Sequence, residues 1–217
     1  RLIAETLLKH FQKEGTWVDS LEIAGPGFIN FKLNNAWLYQ VIPDVLRTGQ
    51  AYGRSDIGKG KKVQVEFVSA NPTGLLHMGN ARGAALGDTI ASLLDAAGFA
   101  VSREYYINDA GNQIHNFAIS LEARYLQALG QNVPFPEEGY HGEDLIGTVE
   151  AFIEKYGEQY LNSSPQARQD ALVKYALEEK LSHIRQVLHD FGVDYDRWFS
   201  EKSLYESGAI QKVIEDL

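Results

Sequence analysis

The 217-residue sequence contains no cysteine, and no apolar run in it approaches the roughly 20 residues that a membrane span requires. The lack of cysteine excludes a disulfide-stabilised fold, a thiolate metal site and a cysteine nucleophile, and it suits a reducing compartment. The first residues, Arg1 to Glu5, open an amphipathic helix with charges inside it, so no signal peptide is visible. We therefore expect a cytoplasmic protein that has no membrane partner.

Positive charge is also scarce. The chain has 20 Lys and Arg residues against 29 Asp and Glu, a net charge of −9, which argues against bulk attraction to a polyanion because phosphate binding depends on Lys and Arg. The distribution is uneven, since residues 1–62 carry nine basic and six acidic residues whereas residues 63–217 carry 11 and 23. The front part can therefore still contact a polyanion locally.

The first 58 residues are expected to form a small α+β domain with its linker. Apolar periodicity predicts a helix over 2–14 and a β-hairpin with strands over 17–23 and 28–33. The stretch 53–62 is polar and Gly-rich and has no apolar period, which is typical of a linker.

Residues 59–217 show the pattern of an α/β domain. A β-branched segment over 63–68 is typical of a buried parallel strand, and it is followed by a predicted helix over 79–97 and a second strand over 101–107. Strand, helix and strand in this order predict a parallel βαβ unit. Because the pattern is helical afterwards, we expect a Rossmann-type α/β half-domain with a helical insertion over about 112–217.

The loop between the first strand and its helix is where a ligand site is expected, because ligands of open parallel sheets bind at the carboxyl ends of the strands. Residues 71–74 fit a type I turn. His77 and Gly79 then come at the helix N-terminus, where free N–H groups and the helix dipole favour an anion. No Walker motif and no G-x-G-x-x-G is present, so a nucleotide must be held in another way.

Glycines recur every four residues along this helix, at Gly79, Gly83 and Gly87. They line one helical face and permit close approach of either the sheet or a flat ligand. Tight packing of the helix is the simpler of the two interpretations.

Two long runs flank this helix. They are Val65-Glu66-Phe67-Val68-Ser69-Ala70-Asn71-Pro72-Thr73-Gly74-Leu75-Leu76-His77-Met78-Gly79-Asn80 and Arg103-Glu104-Tyr105-Tyr106-Ile107-Asn108-Asp109-Ala110-Gly111-Asn112-Gln113-Ile114. Both resemble motifs of bacterial arginyl-tRNA synthetases, and residues 24–31 are similar to part of that family's N-terminal additional domain. The shorter runs Gly142-Glu143-Asp144 and Phe191-Gly192-Val193-Asp194-Tyr195-Asp196 also fit the family. The resemblance covers nearly the whole chain and implies that residues 1–58 contact tRNA and that residues 59–217 are the first part of a class I catalytic domain.

The resemblance also implies a nucleotide site. The HIGH region of the family corresponds to Ala70, Asn71, Pro72, Thr73, Gly74, Leu75, Leu76, His77, Met78, Gly79 and Asn80. Within it His77 and Asn80 are implied to be catalytic, and His77, Gly79 and Asn80 to bind ATP. The motif ends in Asn80 where the family consensus has His, but an amide can place a donor nitrogen near the position of an imidazole Nδ1.

An arginine site is implied beside it. Its residues are Glu66, Ser69, Asn71, Asp109 and Gln113. A guanidinium demands a carboxylate and planar acceptors, and Glu66 is the only charge in an otherwise apolar strand. From the residues alone, Glu66 could equally pair with a neighbouring Lys or Arg, and Asp109 and Gln113 could be turn and cap residues.

The implied activity is that of an arginine–tRNA ligase: ATP, bound with Mg²⁺ as the substrate complex, activates arginine to arginyl-adenylate, and the arginyl group passes to tRNA(Arg). No protein-bound metal is expected, because the histidines lack metal-ligand spacing. The family's lysine loop and anticodon-binding domain are not found in these 217 residues, and the chain does not begin with Met, so we expect an N-terminal fragment. The alternatives are a tRNA-binding paralogue without adenylation activity and another HIGH-type nucleotidyltransferase.

Overall fold

The first two strands of the chain, β1 (Val18–Ala24) and β2 (Phe28–Leu33), pair antiparallel in the computed structural model, which describes residues 1–217. The tight turn between them includes Gly25 with a positive φ of 53°, a conformation that glycine adopts without strain. The predicted hairpin is therefore present.

Three helices accompany the hairpin. They are α1 (Leu2–His10), α2 (Ala36–Tyr39) and α3 (Val41–Thr48), followed by a short 3₁₀ turn over Gly49–Ala51. The helix α1 is shorter than the predicted 2–14. Pro43 lies in the first turn of α3, where a missing N–H leaves no helical hydrogen bond unmade. Together these elements form a unit that spans Arg1–Arg54.

The second unit begins at Ser55, inside the Gly-rich stretch that the sequence predicts as a linker. The backbone N–H groups of Ser55, Gly58 and Gly60 donate to the carbonyls of residues 96, 97 and 98 at distances of 2.8–2.9 Å. A Cβ added at Gly58 would come within 2.5 Å of the Phe99 ring. Most of this stretch is thus bonded to the second unit rather than free.

Three parallel strands form the sheet of the second unit, in the order β3 (Lys62–Glu66), β4 (Ala100–Ile107) and β5 (Arg197–Ser200). The helix α4 (Met78–Ala96) connects β3 to β4, as the predicted βαβ unit requires. The expectation of helices alone beyond residue 112 is wrong at β5. Four residues are too few for strand alternation to be visible, and β5 exists because it pairs with the distant β4.

The position of β3 also corrects the sequence analysis. β3 lies at the edge of the sheet and has only β4 as a neighbour. Its side chains alternate between half-buried and exposed, and Glu66 is exposed. The expectation of a strand buried on both faces is therefore wrong in this chain.

The remaining helices are α5 (Asn112–Ala128), α6 (Asp144–Tyr156), α7 (Pro165–Asp190), α8 (Lys202–Glu206) and α9 (Ala209–Asp216). One core lies among α5, α6 and α7 and is rich in large side chains, including Phe117, Leu121, Tyr125 and Phe152. A second core packs α4 and α7 against the sheet and includes Phe67, Tyr105, Ile107, Ile184 and Leu188.

Two buried ion pairs connect α7 to the helices before it. Arg168 pairs with Glu122 of α5 at 2.7 Å, and Lys180 pairs with Asp144 of α6 at 2.8 Å. The Arg168 guanidinium also donates to backbone carbonyls in the segment before α7. Because buried charges require such partners, these pairs hold α7, the helix that leads to β5, against α5 and α6.

Candidate active site

The three parallel strands end at Glu66, Ile107 and Ser200, and these carboxyl ends lie on the same side of the sheet, which we call the carboxyl edge. Asp109 follows β4 at this edge. Its carboxylate accepts a hydrogen bond from the Ser200 hydroxyl at 2.6 Å and another from the Lys202 N–H at 2.9 Å. Asp109 therefore joins the ends of β4 and β5, and the turn interpretation of this residue agrees with its contacts.

The loop from Phe67 to His77, between β3 and α4, begins in a strained conformation. Val68 and Ser69 have φ values of 65° and 40°, in the left-handed region that non-glycine residues rarely adopt. Each such residue costs about 1–3 kcal/mol, and a β-branched residue there is an outlier. Strain of this kind persists where the surrounding structure imposes it, and it is concentrated at functional sites.

Ser69 connects this loop to the ends of both neighbouring strands. Its hydroxyl accepts a hydrogen bond from the Tyr106 N–H at 3.0 Å and donates one to Glu66 Oε1 at 2.8 Å. The ion pairs of the second unit do not include Glu66. The Glu66 carboxylate is thus exposed, oriented by Ser69 and not neutralised by a Lys or Arg, which is the state in which it can receive a cationic ligand.

His77 is the N-cap residue of α4 and forms a reciprocal capping arrangement with Asn80. The Gly79 N–H donates to His77 Nδ1 at 3.1 Å, and the His77 N–H donates to Asn80 Oδ1 at 2.9 Å. Because Nδ1 accepts a hydrogen bond, the proton of the neutral imidazole resides on Nε2. The amide group of Asn80 likewise keeps its N–H groups as donors. Two side-chain donors and the positive end of the helix dipole therefore lie together at this N-terminus.

The three glycines of α4 differ in what an added side chain would contact. A Cβ at Gly87 would lie 2.2 Å from Phe67 Cγ, so close packing of helix and sheet requires glycine there. A Cβ at Gly79 would lie 2.9 Å from the His77 ring, so glycine at this position permits the imidazole to cap the helix. Gly83 has no atom within 4 Å of such a Cβ. The packing interpretation therefore accounts for Gly87 alone.

The other expected arginine-site residues make fewer contacts. Asn71 is exposed in the loop, and Gln113 is exposed in the first turn of α5. Between Asn71 and Leu75, Pro72 and Thr73 are buried and give the loop a fixed base. No three His, Asp or Glu side chains converge on a common point, and no helix combines the length and apolarity needed to cross a bilayer.

Two tyrosines that the sequence analysis missed contact this loop from outside it. The Tyr105 hydroxyl donates to the Ala70 carbonyl at 2.8 Å, and the Tyr195 hydroxyl donates to the Phe67 carbonyl at 3.1 Å. Tyr105 is inside the second of the two long motifs, which was the available signal. Tyr195 is 128 residues from Phe67, and no local pattern indicates that it reaches the loop.

Comparisons with known protein families match both units. Residues 1–33 match the family model described as arginyl tRNA synthetase N terminal domain, and residues 41–142 match the model described as tRNA synthetases class I (R), catalytic domain. The chain is 64% identical over all 217 residues to an arginine–tRNA ligase of Desulfitobacterium hafniense and 62% identical to that of Moorella thermoacetica. It spans about 39% of the length of these curated relatives.

Solved structures with the same family name also resemble this chain. A crystal structure described as an arginyl-tRNA synthetase from Campylobacter jejuni is 31% identical with a TM-score of 0.70, and the match covers 84% of this chain and 40% of that one. The arginyl-tRNA synthetase of Thermus thermophilus is 24% identical with a TM-score of 0.54, covering 99% of this chain and 34% of its own. At that identity the second likeness concerns the fold alone.

Proposed function

Because the chain belongs to the arginyl-tRNA synthetase family, we propose that the protein containing it is an arginine–tRNA ligase that acts in the cytoplasm. In the first step the arginine carboxylate attacks the α-phosphorus of ATP, which forms arginyl-adenylate and releases pyrophosphate. In the second step a ribose hydroxyl of the terminal tRNA adenosine attacks the arginyl carbonyl and releases AMP. The observation that carries this proposal is the capped N-terminus of α4, where His77 and Asn80 present donors at the carboxyl end of β3.

Negative charge develops on the α-phosphate during adenylation. The Nε2–H of His77 and the amide N–H groups of Asn80 supply preorganised donors for that charge, and the α4 dipole adds to them. Gly79 leaves the backbone open to a phosphate. ATP enters as its Mg²⁺ complex, and the metal screens the phosphate charge.

We assign the arginine side of the site to Glu66 and Ser69, together with Asn71, Asp109 and Gln113, which the family resemblance implies. Glu66 supports this assignment because it is an exposed carboxylate with no cationic partner, and a guanidinium is the ligand that forms paired hydrogen bonds with a carboxylate. Ser69 fixes the orientation of Glu66 through their 2.8 Å hydrogen bond.

Formation of arginyl-tRNA by the full-length protein from ATP, arginine and tRNA(Arg) tests the proposed function. A protein that binds tRNA(Arg) and forms no arginyl-tRNA would instead be the paralogue without adenylation activity. The intact capping arrangement of His77 and Asn80 disfavours that alternative. The match of residues 1–33 to a synthetase N-terminal domain disfavours another nucleotidyltransferase.

Glu66→Gln keeps the shape of the side chain and removes its charge. In the full-length enzyme we expect the KM for arginine to rise about 10- to 100-fold, as for the loss of a charged hydrogen-bond partner. Discrimination against citrulline should weaken, whereas the KM for ATP should stay unchanged. Steady-state arginylation measures all three, with Glu150→Gln on the exposed face of α6 as the control. A weaker affinity for ATP with normal affinity for arginine would assign Glu66 to the nucleotide instead.

The unit Arg1–Arg54 is our candidate for a tRNA contact, as the match to a synthetase N-terminal domain suggests. It has six basic and five acidic residues, a net charge of only +1. Most of the basic excess of residues 1–62 comes from Lys59, Lys61 and Lys62, which belong to the second unit. Electrostatic attraction from the first unit should therefore be weak and readily screened by salt.

Deletion of residues 1–54 from the full-length enzyme should raise the KM for tRNA several-fold and leave the KM values for arginine and ATP unchanged. The reason is that the residues we propose for adenylation all belong to the second unit. Arginylation at two salt concentrations measures the change, and Lys59→Ala/Lys61→Ala/Lys62→Ala is the comparison variant. Loss of tRNA affinity in the triple variant alone would assign the contact to the second unit.

A further inference from the structure

The strained start of the β3–α4 loop is a γ-turn. The Ser69 N–H donates to the Phe67 carbonyl at 2.9 Å across Val68, whose φ is 65°. Turns of this type with positive φ are rare and strained, and a β-branched central residue such as Val68 is an outlier there. Something outside the turn must therefore stabilise it.

The outside partners are Tyr105 and Tyr195, which we call the tyrosine pair. The Tyr195 hydroxyl donates to the carbonyl of Phe67, immediately before the two strained residues, and the Tyr105 hydroxyl donates to the carbonyl of Ala70, immediately after them. The Phe67 carbonyl thus accepts from Tyr195 as well as from the turn itself. The two phenols hold both ends of the strained segment.

The tyrosine pair is itself rigid. The Tyr105 side chain is fully buried, and its ring stacks on Trp198 with 4.3 Å between centroids. Tyr195 packs edge-on against Tyr105 at 5.4 Å and lies 4.6 Å from the Phe67 ring. A phenol is a protonated donor at neutral pH, and burial raises the pKa of Tyr105 to about 12 and also raises the pKa of Tyr195.

The strained segment sets the position of the arginine-site residues. Ser69 is the second strained residue, and its hydroxyl orients the Glu66 carboxylate. We propose that Tyr105 and Tyr195 are positioning residues that impose the strained turn and thereby hold Glu66 and Ser69 in the geometry that arginine binding requires. The identity of the ligand rests on the proposed function, whereas the anchoring of the turn rests on the contacts above.

Tyr105→Phe and Tyr195→Phe in the full-length enzyme remove one hydroxyl each and keep the rings. Each variant should raise the KM for arginine about fivefold, the effect of one lost hydrogen bond, with the KM for ATP unchanged. Amide hydrogen exchange of the segment 67–77, followed by mass spectrometry, should become faster by a similar factor because the turn opens more often.

Tyr125→Phe is the matched control. Tyr125 is also fully buried, and its hydroxyl donates to the Gly157 carbonyl at 2.9 Å, in the core among α5, α6 and α7. The control loses an equivalent hydrogen bond and should change neither the KM for arginine nor exchange in the loop. Equal effects in all three variants would mean general destabilisation and would overturn the positioning role.

Different results would contradict the anchoring of the turn and the proposed function. Unchanged loop exchange and unchanged arginine KM in both Tyr105→Phe and Tyr195→Phe would overturn the anchoring while leaving arginylation intact. Absence of arginylation by the unaltered enzyme would overturn the proposed function, and loop exchange would still decide the anchoring.

Discussion

Replacement of His77 by Ala in the full-length enzyme is expected to lower the kcat of arginylation by at least about 100-fold, the usual cost of losing one preorganised donor to a developing oxyanion. The imidazole has a defined donor, Nε2–H, because Nδ1 accepts the Gly79 N–H. In the proposed reaction that donor acts on charge that develops at the α-phosphate, so the loss should be in kcat more than in the KM for arginine.

The same substitution also removes the side-chain cap of α4, and this contribution must be separated. Loss of an N-cap side chain costs about 1 kcal/mol of stability, which unfolding by urea measures independently of turnover. His77→Asn retains a capping side chain but lacks the Nε2 donor, so it should fold normally and still lose most of the turnover. His183→Ala, at an exposed position of α7, is the control. Normal turnover in His77→Asn would remove the imidazole from the reaction.

Arg168→Ala is expected to destabilise the second unit by about 3–5 kcal/mol, as for the removal of one partner from a buried ion pair. Arg168 is 7% exposed, and its loss leaves the Glu122 carboxylate, whose side chain is 14% exposed, with only Gln169 as a side-chain partner. The backbone carbonyls of Leu161 and Ser163 also lose their donor. Urea unfolding followed by tryptophan fluorescence measures the change.

Two further variants show whether burial is the cause. Lys202→Ala breaks an ion pair with Glu206 that is about two-thirds exposed on both sides, and it should change the unfolding free energy by less than about 1 kcal/mol. Arg168→Met/Glu122→Leu removes both buried charges and should recover much of the stability that Arg168→Ala loses. A loss below about 1 kcal/mol in Arg168→Ala would contradict this account of α7 packing.

Much of the site follows from local sequence. The two motifs around α4 predict the βαβ unit and the loop at its carboxyl edge, because a strand and a helix each impose their own period on neighbouring residues. The cap at His77 and Asn80 is also local, since the two residues are three apart on one helix. A resemblance based on these residues indicated the family that the comparisons then confirmed.

Other features depend on distant partners and have no local period. β5 is a four-residue strand that exists through its pairing with β4. The stretch from Ser55 to Gly60 has the composition of a linker, but its backbone bonds to the end of α4. Glu66 was expected in a buried strand, and its exposure follows from the place of β3 at the sheet edge.

The sequence by itself therefore determined the βαβ unit, the loop within it and the cap at His77 and Asn80, because each is specified by residues within one or two turns of each other. The tertiary structure decided the surroundings of the residues that we propose to bind arginine. Glu66 remains without a cationic partner, Asp109 is engaged by β5, and Tyr195 reaches Phe67 from 128 residues away. The physical reason is that the contacts of Asp109 and Tyr195 form only when α7 returns the chain to the sheet. No short-range pattern of apolar residues encodes that return.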